Sequence, residues 1–304
     1  LIVAISAIFL CSAALADLCN ESETPLSLKA AHKFRTPQIK TGKLWWGHRF
    51  VQHLDQIVQL NGQGDLVFFG DSITHNWEER GTIARREILG DYSVLNLGFA
   101  GDKVENLLWG VRHGGYCDGY SARVICIMVG TNNRWCRRST PAEIAAGIAL
   151  LVKEVAAKQP EAKILLSPIF PLGAKPDDPK RVETDQINDA LKQLKVTNGR
   201  NIVWFDFTDK LVEPDGTLSP KLFPDACHPS DDGYNIWARE LLPYLRPAAS
   251  AGLVGSWGIT IPEGMDKVPE KVAHLIVTKN AKGEQEGSLL WRWGSPEKVL
   301  SIKV

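Results

Sequence analysis

The sequence predicts an α/β fold: a three-layer α/β/α sandwich with a five-stranded parallel sheet, plus a small C-terminal β-rich appendage. Five short runs rich in Val, Ile and Leu are each long enough for one strand, and helical patterns lie between them. The 304 residues, 44% of them hydrophobic, supply enough apolar side chains for a large core. Strands and helices in alternation, joined by long crossovers, are typical of a parallel sheet with helices on both faces.

The elements follow in order along the chain. An amphipathic helix is predicted over residues 43–60, where apolar residues recur at helical spacing. The five strands come next, and each is continuously apolar, as buried parallel strands are. They are predicted at residues 65–69, 93–97, 123–129, 163–167 and 201–205.

Three longer helices are predicted at residues 141–158, 181–196 and 233–245. The start of the first is well marked, because Thr140 can serve as N-cap, Pro141 takes the first helical position and Glu143 completes a capping box. Ligands bind at the carboxyl ends of the strands in a sheet of this kind. We therefore expect the functional residues to follow the strands directly.

The chain opens with an uncharged apolar run, LIVAISAIFLCSAALA, at residues 1–16. It closes on Ala14-Leu15-Ala16, an A-x-A cleavage pattern, so we interpret it as a signal peptide that lacks its Met and basic start. The alternative is a membrane anchor, but the run is shorter than the roughly 20 apolar residues that a bilayer requires. We expect a secreted or periplasmic protein with no membrane span.

The character of the sequence changes near residue 250, so we predict a catalytic domain over residues 17–250, including the N-terminal helix, and an appendage or partial second domain over 251–304. The appendage holds Trp257, Trp291 and Trp293 and β-like runs at residues 274–278 and 288–293. The tryptophans have two interpretations, a carbohydrate-binding surface or packing against the main domain, and packing is favoured.

Charge and cysteine content limit the classes of partner and the covalent framework. Lys plus Arg and Asp plus Glu both total 35, so no basic stripe points to nucleic acid. Cleavage of the leader would leave five cysteines, and an odd number cannot all pair. We expect a disulfide between Cys136 and Cys227, because each follows closely on a motif of the predicted site; free thiols throughout are the equal alternative.

The first motif, Gly70-Asp71-Ser72-Ile73, follows the first strand directly. Glycine permits a sharp turn, and the N-terminus of the helix that follows favours negative charge on a reacting oxygen. On these local grounds Ser72 is equally well suited to be a nucleophile or a helix cap.

The second motif, Asp225-Ala226-Cys227-His228-Pro229, places a carboxylate three residues before an imidazole, ahead of the last helix. A serine hydroxyl needs a base to take its proton, and the base needs a carboxylate to orient it. Taken singly, Asp225 is better explained as a turn residue and His228 as a surface imidazole.

Two more blocks favour the catalytic interpretation. The run 96–102, NLGFAGD, follows the second strand, and Gly130-Thr131-Asn132-Asn133 follows the third. Acyl transfer creates an oxyanion that requires two or three preorganised donors. The backbone N–H groups of Ser72 and Gly101 and the side-chain amide of Asn132 would supply them.

These four blocks, in this order, resemble the SGNH hydrolases, also called the GDSL esterase and lipase family, with Ser72, Gly101, Asn132 and His228 as the four residues of the name. The segments LNLGFAGDKVENLLWGV, VGTNN and HPSDDGYNIWA are most similar to the branch that contains intracellular platelet-activating-factor acetylhydrolase catalytic subunits and bacterial acetylesterases. The resemblance covers roughly residues 65–245. It implies a flavodoxin-like SGNH fold, a catalytic triad of Ser72, His228 and Asp225, and no metal or other cofactor.

Three further residues are expected to contact substrate. Phe99, between the two glycines of its block, would narrow the acyl pocket. Asp71 and Asn133, each beside a residue of the predicted site, would border the substrate; the alternatives are a structural role for Asp71 and a solvated rim position for Asn133.

The residues together predict a secreted serine esterase that removes acetyl groups from oxygen esters through an acyl-enzyme. Secretion favours carbohydrate O-acetyl groups, such as those of acetylxylan, over lipid, aryl or feruloyl esters. The alternative from another class is a secreted carbohydrate-binding protein that keeps the scaffold without turnover. The sequence leaves the oligomeric state open.

Overall fold

The computed structural model describes Lys40, residues 44–60, 62–136, 139–194 and 201–245, and the backbone of four strands beyond residue 254. The chain divides into two compact units at the junction of Leu245 and Arg246. The leader predicted at residues 1–16 and Cys19 lie outside the described residues.

The first unit is built on a five-stranded sheet in the order β2-β1-β3-β4-β5, and every neighbouring pair is parallel. The predicted fold class is confirmed, and the predicted strands agree with the observed ones to within two residues at each end. The strands are β1 Gln63–Gly70, β2 Val94–Gly98, β3 Ser121–Met128, β4 Lys163–Leu166 and β5 Ile202–Trp204.

Eight α-helices are present in the described part of this unit. The helices predicted at residues 43–60, 141–158, 181–196 and 233–245 are found as α1, α6, α7 and α8. The four others are four to ten residues long, and three of them are too short for their periodicity to stand out in the sequence. The helices are α1 Leu44–Gln59, α2 Ser72–His75, α3 Thr82–Glu87, α4 Val104–His113, α5 Thr131–Trp135, α6 Pro141–Lys158, α7 Pro179–Gln193 and α8 Asp231–Leu245.

The sheet is buried on both faces, which explains why its strands are continuously apolar rather than alternating. Successive side chains of a strand point to opposite faces. In β1, Val67 and Phe69 join a core layer with residues of α1, α4, α6 and α7. Leu66 and Phe68 join a second layer with residues of α3 and α8.

The second core layer is rich in aromatic rings. The Phe68 ring stacks on Trp77 with centroids 5.0 Å apart, and Trp77 lies 5.1 Å from Trp237 of α8. Both tryptophans are fully buried. Aromatic pairs of this kind add to the free energy gained by burial alone, so they fix α8 and the segment after α2 against the sheet.

The second unit contains four strands in the order β6-β7-β8-β9, all antiparallel. The strands are β6 Gly255–Ile259, β7 Ala273–Lys279, β8 Gln285–Trp291 and β9 Glu297–Val299. The β-like runs predicted at residues 274–278 and 288–293 overlap β7 and β8, in keeping with the β-rich character predicted here. The side chains of the three tryptophans lie outside the described residues, so both interpretations stay predictions.

None of the helices in the described ranges combines the length and the apolar character needed to cross a bilayer.

Candidate active site

The predicted nucleophile lies where β1 ends and α2 begins. A Cβ on Gly70 would fall 2.0 Å from Thr74 Oγ1 and 2.5 Å from the Met128 carbonyl oxygen, so only glycine permits this turn. Asp71 is the N-cap of α2, and its Oδ1 accepts a hydrogen bond from Ile73 N at 3.0 Å. Ser72 is therefore the first residue of α2, and its backbone N–H belongs to the turn that has no partner within the helix.

Ser72, His228 and Asp225 lie within hydrogen-bonding distance of one another. Ser72 Oγ is 2.9 Å from His228 Nε2, and His228 Nδ1 is 3.0 Å from Asp225 Oδ2. Ser72 is half-buried and the Asp225 side chain is 42% exposed, so the serine end is more enclosed than the acid end. The arrangement can carry a proton away from the serine hydroxyl, with the carboxylate orienting the imidazole.

The loop that carries the acid and the imidazole is held by its own aspartate. Asp225 Oδ1 accepts hydrogen bonds from the backbone N–H groups of Cys227 at 3.0 Å and His228 at 2.6 Å. Ala226 has a φ of 55°, an uncommon conformation for a residue with a Cβ. Partial burial raises the pKa of Asp225, but the hydrogen bonds from His228 and Cys227 outweigh it, so this pKa lies below its usual value.

Two contacts join this loop to the region of α2. Tyr234 of α8 donates a hydrogen bond from its hydroxyl to the Ile73 carbonyl oxygen. Arg80, which follows α2, has its Nη1 3.4 Å from the His228 carbonyl oxygen and 3.5 Å from Asp225 Oδ2. The spacing between nucleophile and base is therefore set by packing outside the motifs.

The two predicted oxyanion blocks meet beside the serine strand. Gly101 has a φ of 73°, and its N–H donates no hydrogen bond to any residue that the structure describes. Asn132 lies in α5, and its Nδ2 donates to the Asp102 carbonyl oxygen at 2.9 Å. A side-chain amide carries two hydrogens, so Asn132 keeps one for a further acceptor.

The loop that follows β2 and carries Gly101, which we call the oxyanion loop, contacts the N-terminal helix and His75. Arg49 of α1 donates from Nε to the Gly98 carbonyl oxygen at 2.9 Å, and its Nη1 is 2.8 Å from Glu78 Oε2. Ala100 N donates to His75 Nδ1 at 3.2 Å. Burial, and then the nearby Arg49, lower the pKa of His75, which keeps this ring neutral and able to accept.

Asp102 links the same loop to the N-terminal segment. Its carboxylate is 2.7 Å from Lys40 Nζ and accepts from Trp46 Nε1 at 3.3 Å. Only 2% of the side chain is exposed. Burial raises the pKa of Asp102 to about 6, although the Lys40 ammonium opposes this increase.

All three residues predicted to contact substrate have buried side chains, and their contact with substrate stays a prediction. Phe99 has no exposed surface, and its ring stacks 4.9 Å from Trp46 beneath α1. Asp71 also has no exposed surface and caps α2. Asn133 is 4% exposed and accepts from Val104 N at 3.0 Å, so it joins α5 to α4.

The predicted disulfide between Cys136 and Cys227 is wrong for this structure. Both thiols are free, and Cys136 is exposed after α5 while Cys227 is partly covered. Proximity of two motifs at one site does not bring their flanking cysteines within the narrow distance that a disulfide requires.

Sequence reasoning missed the residues that support the site, namely Lys40, Trp46, Arg49, His75, Arg80 and Asp102. Trp46 and Arg49 had one usable signal, since they share the buried stripe of an amphipathic helix. The run 96–102 contains Asp102 without indicating a role for it, and Lys40, His75 and Arg80 lie outside the four motifs. Their partners are backbone carbonyls and side chains that only the fold brings near. Within the described residues, no cluster of three or more His, Cys, Asp or Glu side chains is arranged to hold a metal ion.

Comparison with known proteins identifies the family that the chain resembles. The model of the GDSL-like Lipase/Acylhydrolase family matches residues 68–236, which include both ends of the Ser72–His228 pair. Platelet-activating factor acetylhydrolase IB subunit alpha2 of Rattus norvegicus is 31% identical over 170 residues, covering 56% of this chain and 71% of that protein. Subunit alpha1 of Homo sapiens is 28% identical over 197 residues, covering 64% and 78%.

A solved structure shows the same fold. A GDSL-like lipase from Bacteroides thetaiotaomicron superposes with a TM-score of 0.51 at 17% identity, covering 64% of this chain and 96% of that one.

Proposed function

The chain belongs to the GDSL-like lipase/acylhydrolase family and is a hydrolase that acts on esters, and we propose that it is a secreted serine esterase that removes acetyl groups from carbohydrate. The observation that carries the proposal is the relay in which Ser72 Oγ lies 2.9 Å from His228 Nε2 and Asp225 holds Nδ1 of the same ring.

In this mechanism His228 takes the proton of Ser72 as the hydroxyl oxygen attacks the ester carbonyl. The carbonyl oxygen becomes an oxyanion, which the N–H groups of Ser72 and Gly101 and the second hydrogen of the Asn132 amide stabilise. The C–O bond to the alcohol then breaks, and His228 gives its proton to the departing oxygen. Water repeats the sequence on the acyl-serine and releases the acid.

The acetyl preference and the carbohydrate substrate have separate support. The relatives matched at 31% and 28% identity bear the name acetylhydrolase. The apolar leader predicted at residues 1–16 would deliver the protein to a compartment where acetylated polysaccharide is available. Trp135 is 52% exposed and lies one helical turn from Asn132 in α5. Its ring, which the Arg134 guanidinium and Lys180 Nζ contact, is an aromatic group beside the oxyanion region.

The triad is tested with 4-nitrophenyl acetate. Wild type should hydrolyse it, and Ser72→Ala should remove nearly all turnover while the unfolding temperature stays unchanged. Equal turnover by wild type and Ser72→Ala would reject the triad. The substrate is tested with acetylated xylan, acetylated pectin, a feruloyl ester and platelet-activating factor, and we expect release of the acyl group as its acid to be fastest from an acetylated polysaccharide.

Secretion is tested on the protein made from its full gene. We expect the N-terminus of the exported protein to begin at Asp17, after the Ala14-Leu15-Ala16 pattern. An unprocessed N-terminus on protein retained inside the cell would contradict the proposal.

A further inference from the structure

The N-terminal segment holds both sides of the predicted backbone donor in the oxyanion loop. Lys40 Nζ is 3.4 Å from the Ala100 carbonyl oxygen and 2.7 Å from the Asp102 carboxylate, and these residues flank Gly101. Trp46 Nε1 donates to the same carboxylate at 3.3 Å. Lys40 and Trp46 both precede residue 68, where the match to the family begins.

Asp102 also contacts the second predicted oxyanion donor, the Asn132 side-chain amide. Its carbonyl oxygen accepts one hydrogen of the Asn132 amide at 2.9 Å, which fixes the direction of the other hydrogen because the amide is planar. A group preorganised before the reaction stabilises the transition state without reorganising when charge develops. Lys40 and Trp46 thus hold the Asp102 carboxylate, and the backbone carbonyl oxygen of the same residue orients the Asn132 amide.

These contacts could instead serve stability alone, since Trp46 is buried and also stacks on Phe50 and Phe99. The two roles differ in what they affect. A purely structural contact changes stability and acts independently of Asn132, whereas a contact that orients Asn132 matters only while Asn132 is present.

We propose that Asp102 is a positioning residue of the oxyanion hole, held by Lys40 and Trp46 of the N-terminal segment and acting through the Asn132 amide. The proposal rests on the proposed esterase function. It makes the segment from Lys40 through α1 part of the catalytic unit.

The test is a double-mutant cycle on the full chain with 4-nitrophenyl acetate. Trp46→Phe keeps an aromatic ring but removes the N–H, and we expect kcat to fall about tenfold with little change in KM. In an Asn132→Ala background the same substitution should change kcat by less than about twofold, because the amide on which it acts is gone. Trp45→Phe is the matched control, since Trp45 also contacts the Phe99 ring but donates no hydrogen bond to Asp102.

A second variant keeps the test decisive if Trp46→Phe unfolds the protein. Lys40→Met removes the ion pair from a partly exposed position and should lower kcat in wild type more than in the Asn132→Ala background. Equal losses in both backgrounds, or no loss in either, would overturn the proposal. Failure of the proposed function looks different, because wild type would then be no faster than Ser72→Ala whatever the cycle shows.

Discussion

Asp71 caps the helix of the candidate nucleophile from a fully buried position. Its Oδ1 accepts from Ile73 N, and the Thr131 side chain is a further hydrogen-bonding neighbour of the carboxyl group. Burial raises the pKa of Asp71 from 3.8 to about 7, and the nearby Asp102 adds to this increase while the cap hydrogen bond opposes it. A carboxyl group directly before the candidate nucleophile therefore keeps its proton in weakly acidic solution.

The raised pKa predicts that the contribution of Asp71 to the free energy of unfolding falls as pH rises. Below about pH 4 both states hold the proton; between about pH 4 and 7 the unfolded chain releases it first, so ionisation of this group favours unfolding by up to about 4 kcal/mol. Asp71→Asn keeps the cap acceptor and has no proton to release. In urea unfolding from pH 4 to 8, the free energy of unfolding of wild type should therefore decrease relative to that of this variant as pH rises.

Asp118→Asn is the control for that measurement, because Asp118 is 63% exposed and paired with Lys158 on the surface. It should keep the wild-type dependence on pH. Parallel curves for wild type and Asp71→Asn would show that Asp71 is ionised throughout the range.

Arg80 contacts both the Asp225 carboxylate and the His228 carbonyl oxygen, which lie at the two ends of one loop. Ala226 has a left-handed backbone conformation within that loop. We therefore expect the loop to change conformation when the Arg80 contacts are removed. We predict that Arg80→Gln lowers kcat by up to about tenfold with little change in KM, since small displacements of a base are costly. Steady-state kinetics on 4-nitrophenyl acetate would measure this.

Arg86→Gln removes the same charge from a nearby surface site, where Arg86 is 74% exposed and pairs with Glu87. It should retain wild-type kinetics. An equal loss in both variants would mean that general charge, and not the contact with the loop, affects turnover.

At this scale the sequence predicted residue types suited to a proton relay, and it did not predict that three neighbouring residues are buried. Ser72, Asp225 and His228 could be found because the relay needs those residue types, and the structure brings them together. The burial of Phe99 could have been predicted, since Phe99 continues the alternation of Leu95 and Leu97 just past β2, and its ring stacks on Trp46 of α1. The supporting partners of Asp102 and Arg80 depend on tertiary packing and leave no pattern.

Among the elements, α6 is the one whose start follows most directly from local sequence. Thr140 Oγ1 accepts from Glu143 N at 3.2 Å, and Glu143 Oε2 accepts from Thr140 N at 2.7 Å, so the predicted capping box is confirmed. The helix packs Ile144, Ile148 and Leu151 into the first core layer. The capping box and the buried side chains therefore both indicate the same helix.

We predict that Thr140→Ala lowers the free energy of unfolding by about 1 kcal/mol, the usual cost of losing such a cap. The reason is that Glu143 N would lose its acceptor at a helix end that has no internal partner. Urea unfolding measures the change, and Ser139→Ala, one residue earlier, should show much less. A loss below the error of the measurement would mean that water replaces the cap at no cost.

The long strands were predictable for a reason that the short helices lack. A strand buried on both faces shows its whole length as an apolar run, as Val124 to Met128 do in β3. A helix of four or five residues, such as α2 or α5, has too few residues to show a period. The positions of those helices depend instead on the turn at Gly70 and on the path by which the chain returns to the sheet.

At the scale of the whole molecule, every residue of the proposed mechanism belongs to the first compact unit. The first unit ends at Leu245 and contains Ser72, Gly101, Asn132, Asp225 and His228, together with both described core layers. The four-stranded sheet beyond residue 254 pairs only within itself among the described strands. Fold class was predictable for the first unit because layered packing leaves few arrangements for such strands and helices.

This division predicts that a chain ending at Leu245 still folds and still hydrolyses 4-nitrophenyl acetate with the kcat of the full chain. The physical reason is that a compact unit with its own core can fold independently, and α8, which packs the loop of His228 against α2, ends at Leu245. Thermal unfolding and steady-state kinetics of the two chains make the comparison. A shortened chain that unfolds cooperatively but has lost turnover would show that a residue after 245 takes part in the reaction, and the proposed mechanism would then be incomplete.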